Sequence, residues 1–222
     1  MSFDWNFLTN EGTPTSFNDF GFVSIVSNTL DTLANTNSSF GFSPTIFNEE
    51  TGFDTFSYTL IGNSYDQLFG EAGDDRLDVS NGAGNNLLDG GKGDDELLAN
   101  LNDQLFGGKG DDILIAGFND QLSGGDGDDL LFGGYGGSTM TGGNGDEQFW
   151  IVNGFVPSAA HTITDFEVEI DRIGIRGLGI TFQQLDLIQD GNDTRISVFN
   201  TDLAILTGIQ ASALNSSDFI LA

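Results

Sequence analysis

Gly90-Gly91-Lys92-Gly93-Asp94-Asp95-Glu96-Leu97-Leu98 decides the fold, because the chain repeats it. It returns as Gly107-Gly108-Lys109-Gly110-Asp111-Asp112-Ile113-Leu114-Ile115 and again as Gly124-Gly125-Asp126-Gly127-Asp128-Asp129-Leu130-Leu131-Phe132. Looser copies read Gly70-Glu71-Ala72-Gly73-Asp74-Asp75-Arg76-Leu77-Asp78 and Gly142-Gly143-Asn144-Gly145-Asp146-Glu147-Gln148-Phe149-Trp150. The shared form is G-G-x-G-x-D-x-U-x, with U a large apolar residue. Such a unit cannot bury its apolar side alone, so copies must stack into a solenoid. Glycine at positions one, two and four opens backbone angles closed to other residues and clears space for carbonyls to converge. Asp at position six adds a carboxylate, and carbonyl with carboxylate oxygens are the hard ligands that Ca²⁺ prefers. Position eight then points inward from a short strand, with positions seven and nine outward.

Between the regular units lie degenerate ones. Position six on the regular side is Asp75, Asp95, Asp112, Asp129 and Glu147, with steps of 20, 17, 17 and 18. On the degenerate side it is Asp66, Asn86, Asp103, Asp120 and Ser138, with the same steps. Each full turn therefore carries one loop of each kind, and all regular loops stack on one edge. The inward series is Leu68, Leu77, Leu88, Leu97, Leu105, Leu114, Leu122, Leu131, Met140 and Phe149. On the degenerate side, stacked Gln67, Gln104 and Gln121, interrupted by Leu87, read as an outward hydrogen-bonded ladder, or alternatively as a docking face.

The repeat resembles the haemolysin-type calcium-binding repeats, the RTX nonapeptides, and the resemblance implies an all-β fold, a parallel β-roll with an ion between consecutive regular loops. Carbonyls of positions two and four and the position-six carboxylate come from one loop. Carbonyls of positions one and three and a second carboxylate come from the next. The implied first site uses Glu71, Gly73, Asp75, Gly90, Lys92 and Asp95, and the second Gly91, Gly93, Asp95, Gly107, Lys109 and Asp112. The third uses Gly108, Gly110, Asp112, Gly124, Asp126 and Asp129, and the fourth Gly125, Gly127, Asp129, Gly142, Asn144 and Glu147. Glu71 and Glu147 depart from the motif, and Glu147 reaches farther than Asp, which marks the fourth site as the weakest. About four Ca²⁺ ions follow from five loops with four gaps.

Charge agrees. Across 222 residues, 34 Asp and Glu face 6 Lys and Arg, for a net −28. Residues 61–150 hold 22 of the 32 Gly and a net −15. With so thin a core, this segment is expected to fold with calcium rather than before it. A polyanion of this strength excludes nucleic acid and anionic membranes as partners. No Cys and a single His, His161, rule out thiolate zinc sites, disulfides and a zincin pair. No apolar run is long enough to span a membrane, and the acidic N-terminus lacks the pattern of a cleaved signal peptide.

Three regions follow: an aromatic N-terminal cap or docking segment over 1–60, holding 10 of the 20 Phe, the calcium-binding β-roll over 61–150, and a β-rich C-terminal cap over 151–222. In the first, Asp54–Ile61 reads as a strand, and Val23–Ala34 as a helix or a strand. In the last, Asp190–Asp193 reads as a turn joining Leu185–Gln189 to Thr194–Phe199. Residues 155–222 also resemble the C-terminal module of secreted RTX proteins, through Thr162-Ile163-Thr164-Asp165-Phe166, Asp171-Arg172-Ile173, Gln189–Ile196, Asp202–Gly208 and the terminal Asp218-Phe219-Ile220-Leu221-Ala222. That likeness implies a C-terminal signal for a type I secretion machinery. Since no enzyme domain stands beside the repeats, the chain is expected to be a secreted, non-enzymatic structural protein at a bacterial cell surface, layer, matrix or filament. Its expected partners are calcium and other copies of itself, joined head to tail through free strand edges. The alternatives are a calcium-dependent adhesin or surface-recognition module and, behind it, an enzyme carried by residues 1–60 or 151–222.

Overall fold

The computed structural model describes residues 57–59 and 65–222. The cap expected over 1–60 and the reading of Val23–Ala34 lie outside them. One short strand, β1 (Ser57–Thr59), falls within the expected Asp54–Ile61 stretch.

Each position-eight residue is the second residue of its strand. On the glycine-rich side the strands are three residues long: β3 (Arg76–Asp78), β5 (Glu96–Leu98), β7 (Ile113–Ile115) and β9 (Leu130–Phe132). On the other side β2 (Gln67–Phe69) is followed by longer strands that run on into the glycine loops: β4 (Leu87–Lys92), β6 (Gln104–Lys109), β8 (Gln121–Asp126) and β10 (Thr139–Asn144). The roll continues through β11 (Gln148–Asn153), β12 (His161–Ile163) and β13 (Arg172–Arg176). An inserted meander, β14 (Asp186–Asp190), β15 (Asp193–Val198) and β16 (Thr201–Leu206), precedes β17 (Phe219–Leu221).

Successive strands alternate between two sheets, as the doubled period requires. One has eight strands in the order β1-β3-β5-β7-β9-β11-β13-β17, the other nine in the order β14-β15-β16-β12-β10-β8-β6-β4-β2. Pairing is parallel except within the meander, where the expected turn at Asp190–Asp193 joins β14 to β15 antiparallel. The fold is thus a parallel β-roll. Both sheets pass into the C-terminal region without a break, through β12 and β13.

Register follows the apolar column. Leu77, Leu97, Leu114, Leu131, Phe149 and Ile173 align in one sheet, and Leu68, Leu88, Leu105, Leu122, Met140 and Ile163 in the other. None is more than 5% exposed. One strand step apart, each packs on its copies above and below, so a one-residue slip would expel the whole column. The outward Gln67, Leu87, Gln104 and Gln121 also align. The expected amide ladder does not form: no hydrogen bond joins these Gln side chains among the described residues. The bonded ladder of that edge is built one residue earlier, from Asp and Asn.

Candidate metal centre

All glycine-rich loops cross from the nine-stranded to the eight-stranded sheet, so they stack on one edge, and the degenerate loops return on the other. Position six is buried throughout the regular edge: Asp75, Asp95, Asp112, Asp129 and Glu147 are each at most 4% exposed. Each Asp turns one oxygen back to the preceding loop. The Asp75 amide donates to Asp95 Oδ1 (2.7 Å), that of Asp95 to Asp112 Oδ1 (2.8 Å), and that of Asp112 to Asp129 Oδ1 (2.8 Å). No such bond joins the Asp129 amide to the longer Glu147 side chain among the described residues. The column resumes where Glu147 donates to Asp171 Oδ1 (3.1 Å).

The opposite edge carries a similar ladder. Asn86 donates to Asp103 Oδ1 (2.7 Å), Asp103 to Asp120 Oδ1 (2.8 Å), and Asp120 to Ser138 Oγ (3.2 Å). The difference lies in the second oxygen. Asp103 Oδ2 accepts from the amides of Asn100 (2.8 Å) and Leu101 (3.2 Å), and Asp120 Oδ2 from Gly117. The short return loop curls its own amides onto its carboxylate, helped by left-handed Asn102 and Asn119 (φ 53° and 56°). On the regular edge Asp95, Asp112 and Asp129 Oδ2 and Glu147 Oε1 are buried with no hydrogen-bond partner. A buried acceptor left unmade costs about 1–3 kcal/mol, so four in a row on one edge call for a ligand.

Backbone oxygens gather at the same places. A Cβ on Gly107 would meet Asp112 Oδ2 and lie 2.7 Å from the Gly124 carbonyl oxygen, and one on Gly124 would meet Asp129 Oδ2 and lie 2.6 Å from that of Gly142. At position two, Gly108 (φ 117°) receives the Gly91 carbonyl where a Cβ would stand, and at position four Gly110 receives that of Gly93. Each gap thus has a carboxylate and carbonyls of positions two and four from one loop, and in the first, third and fourth gaps the position-one carbonyl of the next loop, from Gly90, Gly124 and Gly142, stands beside them. No three Asp, Glu or His side chains converge among the described residues, so an ion here is held mainly by carbonyls. The position-three carbonyls of Lys92, Lys109, Asp126 and Asn144 already accept the amides of Gly73, Gly93, Gly110 and Gly127 at 2.8–2.9 Å, which leaves each one lone pair. The Glu71 carbonyl likewise accepts from Lys92 N (3.1 Å).

Burial drives these carboxyls up from the ordinary carboxylate range, Asp95 and Asp129 to about 6 and Asp112 to about 7. Burial, then neighbouring Asp171, carries Glu147 to about 8. A divalent cation reverses that balance by stabilising the ionised form. Hard oxygens, orphaned carboxylates and glycine-lined space together fit Ca²⁺.

Residues 62–83, 82–101, 102–120 and 116–146 match the family model of the RTX calcium-binding nonapeptide repeat, in four copies. Residues 62–146 are RTX repeats. No curated protein matches the chain in sequence. Solved structures similar to it include the extracellular lipase LipA from Serratia marcescens, at 17% identity and TM-score 0.31, over 78% of this chain and 41% of the lipase. Another is the AlgE6R3 subunit of the Azotobacter vinelandii mannuronan C5-epimerase, at 23% identity and TM-score 0.27, over 77% of this chain and 80% of that one. The chain therefore spans less than half the length of the lipase.

Two residues beyond the RTX repeats close their edge. Asp165 accepts the amides of Gly142 (2.9 Å) and Gly143 (3.0 Å), and Asp171 accepts those of Glu147 and Glu167. Neither was among the sites expected from sequence. Glu147 and Asp171 stand 24 residues apart, which breaks the period, and the readable signal was Asp171-Arg172-Ile173, an Asp two residues before an inward apolar one.

Proposed function

We propose that this chain is a secreted, non-enzymatic calcium-binding structural protein, whose RTX roll folds around ions held on one edge and whose copies associate in an extracellular layer, matrix or filament. RTX repeat proteins are typically secreted, and no helix among the described residues is long and apolar enough to cross a membrane. The observation that carries the reading is the file of buried, partnerless carboxylate oxygens confined to the glycine edge. The ion sites are those of the four gaps, with Asp95, Asp112 and Asp129 each shared between two. Circular dichroism in chelator and in Ca²⁺ tests the folding, and electron microscopy under the same two conditions tests the assembly. An unchanged β signal and melting temperature in chelator would defeat the first, and dispersed single particles in calcium the second.

A second reading, a calcium-dependent surface-recognition module, draws on the return edge. There Phe118, Tyr135 and Phe155 stack with ring centroids 4.9 and 4.7 Å apart, and all three are at least 39% exposed. Retention on cell surfaces or matrix material in Ca²⁺, lost on Tyr135→Ala, distinguishes it from assembly.

A further inference from the structure

In a chain of net charge −28, the return edge and the sheet border beside it are uncharged at the surface. Across residues 81–87, 99–106, 116–123 and 133–141 the charged residues are Asp103 and Asp120. Both are buried and hydrogen-bonded on each oxygen. Two columns of side chains line this strip. At position five stand Asn85, Asn102 and Asn119, in left-handed backbone (φ 63°, 53° and 56°), and at position seven Gln67, Gln104 and Gln121. All six are exposed, and none of their carboxamides is hydrogen-bonded among the described residues. Beside the Asn column run Leu101 and the stacked rings of Phe118, Tyr135 and Phe155. Beyond the Gln column Phe106 is 41% exposed.

The columns meet at an open pocket of about 330 Å³. The loops supply Tyr65, Asn85 and Asn102, and the strands Gln67, Leu87 and Gln104. Half-buried Asp66 and buried Asn86 also line it. Asn86 stands where other turns have Asp, which exchanges an acceptor for a donor. Its Oδ1 accepts from the Asp66 amide (3.0 Å), and its Nδ2 is buried with no partner among the described residues. Such a donor left unmade costs about 1–3 kcal/mol, so it calls for an acceptor in the pocket.

These features select a ligand chemistry. Beyond half-buried Asp66 the strip has no carboxylate open to a cation, and the net charge of the chain repels an anion. Free carboxamides both donate and accept, as hydroxyl groups do. Their repetition at each strand step of ~4.8 Å suits a polymer, and apolar side chains on both flanks suit the C–H faces of sugar rings. A peptide added as a strand needs an open sheet edge, whereas β4, β6 and β8 are paired on both sides. We infer that this strip binds a neutral polysaccharide laid along the roll axis, with one sugar unit in the pocket between Tyr65 and Gln104. The inference rests on the surface-recognition reading above and names its ligand class.

Affinity electrophoresis of the full chain in millimolar Ca²⁺ tests it, in native gels containing hydroxyethyl cellulose, dextran, galactomannan or the anionic carboxymethyl cellulose. Retardation by at least one neutral polymer, and none by carboxymethyl cellulose, is expected. Gln104→Ala and Asn102→Gly, the second chosen to keep the left-handed backbone, should each weaken it by about tenfold with β signal intact. Gln148→Ala, on the other sheet, should leave it unchanged. Retardation that both strip variants keep in full overturns the site. Retardation by carboxymethyl cellulose alone, or by no polymer while retention on matrix material is still lost on Tyr135→Ala, overturns the ligand class and leaves surface recognition standing. Retention on neither polymer nor matrix material overturns both.

Discussion

Asp112→Ala and Asp103→Ala make a matched pair, since each removes a buried position-six carboxylate from the middle of the roll, on opposite edges. Without ions the two should cost alike. Asp103→Ala strands the buried Asn86 amide and releases those of Asn100 and Leu101, which lie close enough to the surface to be rehydrated. That costs about 1–3 kcal/mol. Asp112→Ala strands the Asp95 amide at similar cost, partly offset because it deletes a carboxyl that burial holds at about 7. Calcium separates them. An ion present at a hundred times its Kd stabilises the folded state by about 2.7 kcal/mol, and Asp112 serves two gaps. At that calcium level Asp112→Ala is expected to cost about 6–8 kcal/mol in all, and Asp103→Ala still about 1–3. Denaturant unfolding over a series of free Ca²⁺ concentrations gives the ions taken up on folding from the slope of ln K against ln[Ca²⁺]. That slope should fall by about two for Asp112→Ala and stay at the wild-type value for Asp103→Ala. Equal slopes in the two variants would refute the one-edged assignment.

In chelator, acid should favour the roll. The folded pKa values of Asp95, Asp112, Asp129 and Glu147 lie above those of unfolded carboxyls, so their contribution is full below about pH 4 and lost as pH rises through about 6 to 8. Buried His161, lowered to about 4, works the other way below about pH 6.5, but it is one group against four. β signal in chelator should therefore be greater at pH 5 than at pH 8, and a flat profile would contradict the buried acid file. Gly108→Ala combines a left-handed φ of 117° with a Cβ driven into the Gly91 carbonyl; it should cost at least about 2 kcal/mol in Ca²⁺. Gly191→Ala, at φ 65° in open space, should cost about 1, and matching melting temperatures for the two would show that the carbonyl cradle is not tight. Both ring nitrogens of His161 are buried without partners, so His161→Leu should raise stability at pH 5 by about 1–2 kcal/mol in calcium; a loss in thermal melts would count against that account.

The two-sheet roll was legible because one number, the doubled period, governs strand alternation, register and the inward leucines together. Asymmetry between the edges was legible too, from Gly at position four and the Asn86 and Ser138 breaks. Its physical basis was not. Asp103 and Asp112 look equivalent as letters; only the path of the loop shows that Asn100 and Leu101 turn their amides onto one and leave the other open. The expected Gln ladder failed for a related reason. Alignment of Gln104 and Gln121 follows from period, but bonding between their amides depends on rotamers, which period does not set. Asp165 and Asp171 were hidden by sequence distance, since the chain makes a detour between Phe149 and Ile173 before it rejoins the same column.

The buried acid file has a direction. In each link an amide of an earlier loop is satisfied by the side chain of a later one: Asp75 waits for Asp95, Asp95 for Asp112, Asp112 for Asp129, and Glu147 for Asp171. The exposed Asp74, Asp94, Asp111 and Asp128 carboxylates bond the other way, but water can replace them. Shortening the roll from its N-terminal end leaves a carboxylate oxygen to be hydrated at the new surface. Shortening it from the C-terminal end strands a buried amide at each of these four links, though not between Asp129 and Glu147. The C-terminal side is therefore the costlier end to cut, and a roll that loses Asp171 is expected to be less stable than one shortened by a turn at its N-terminal end.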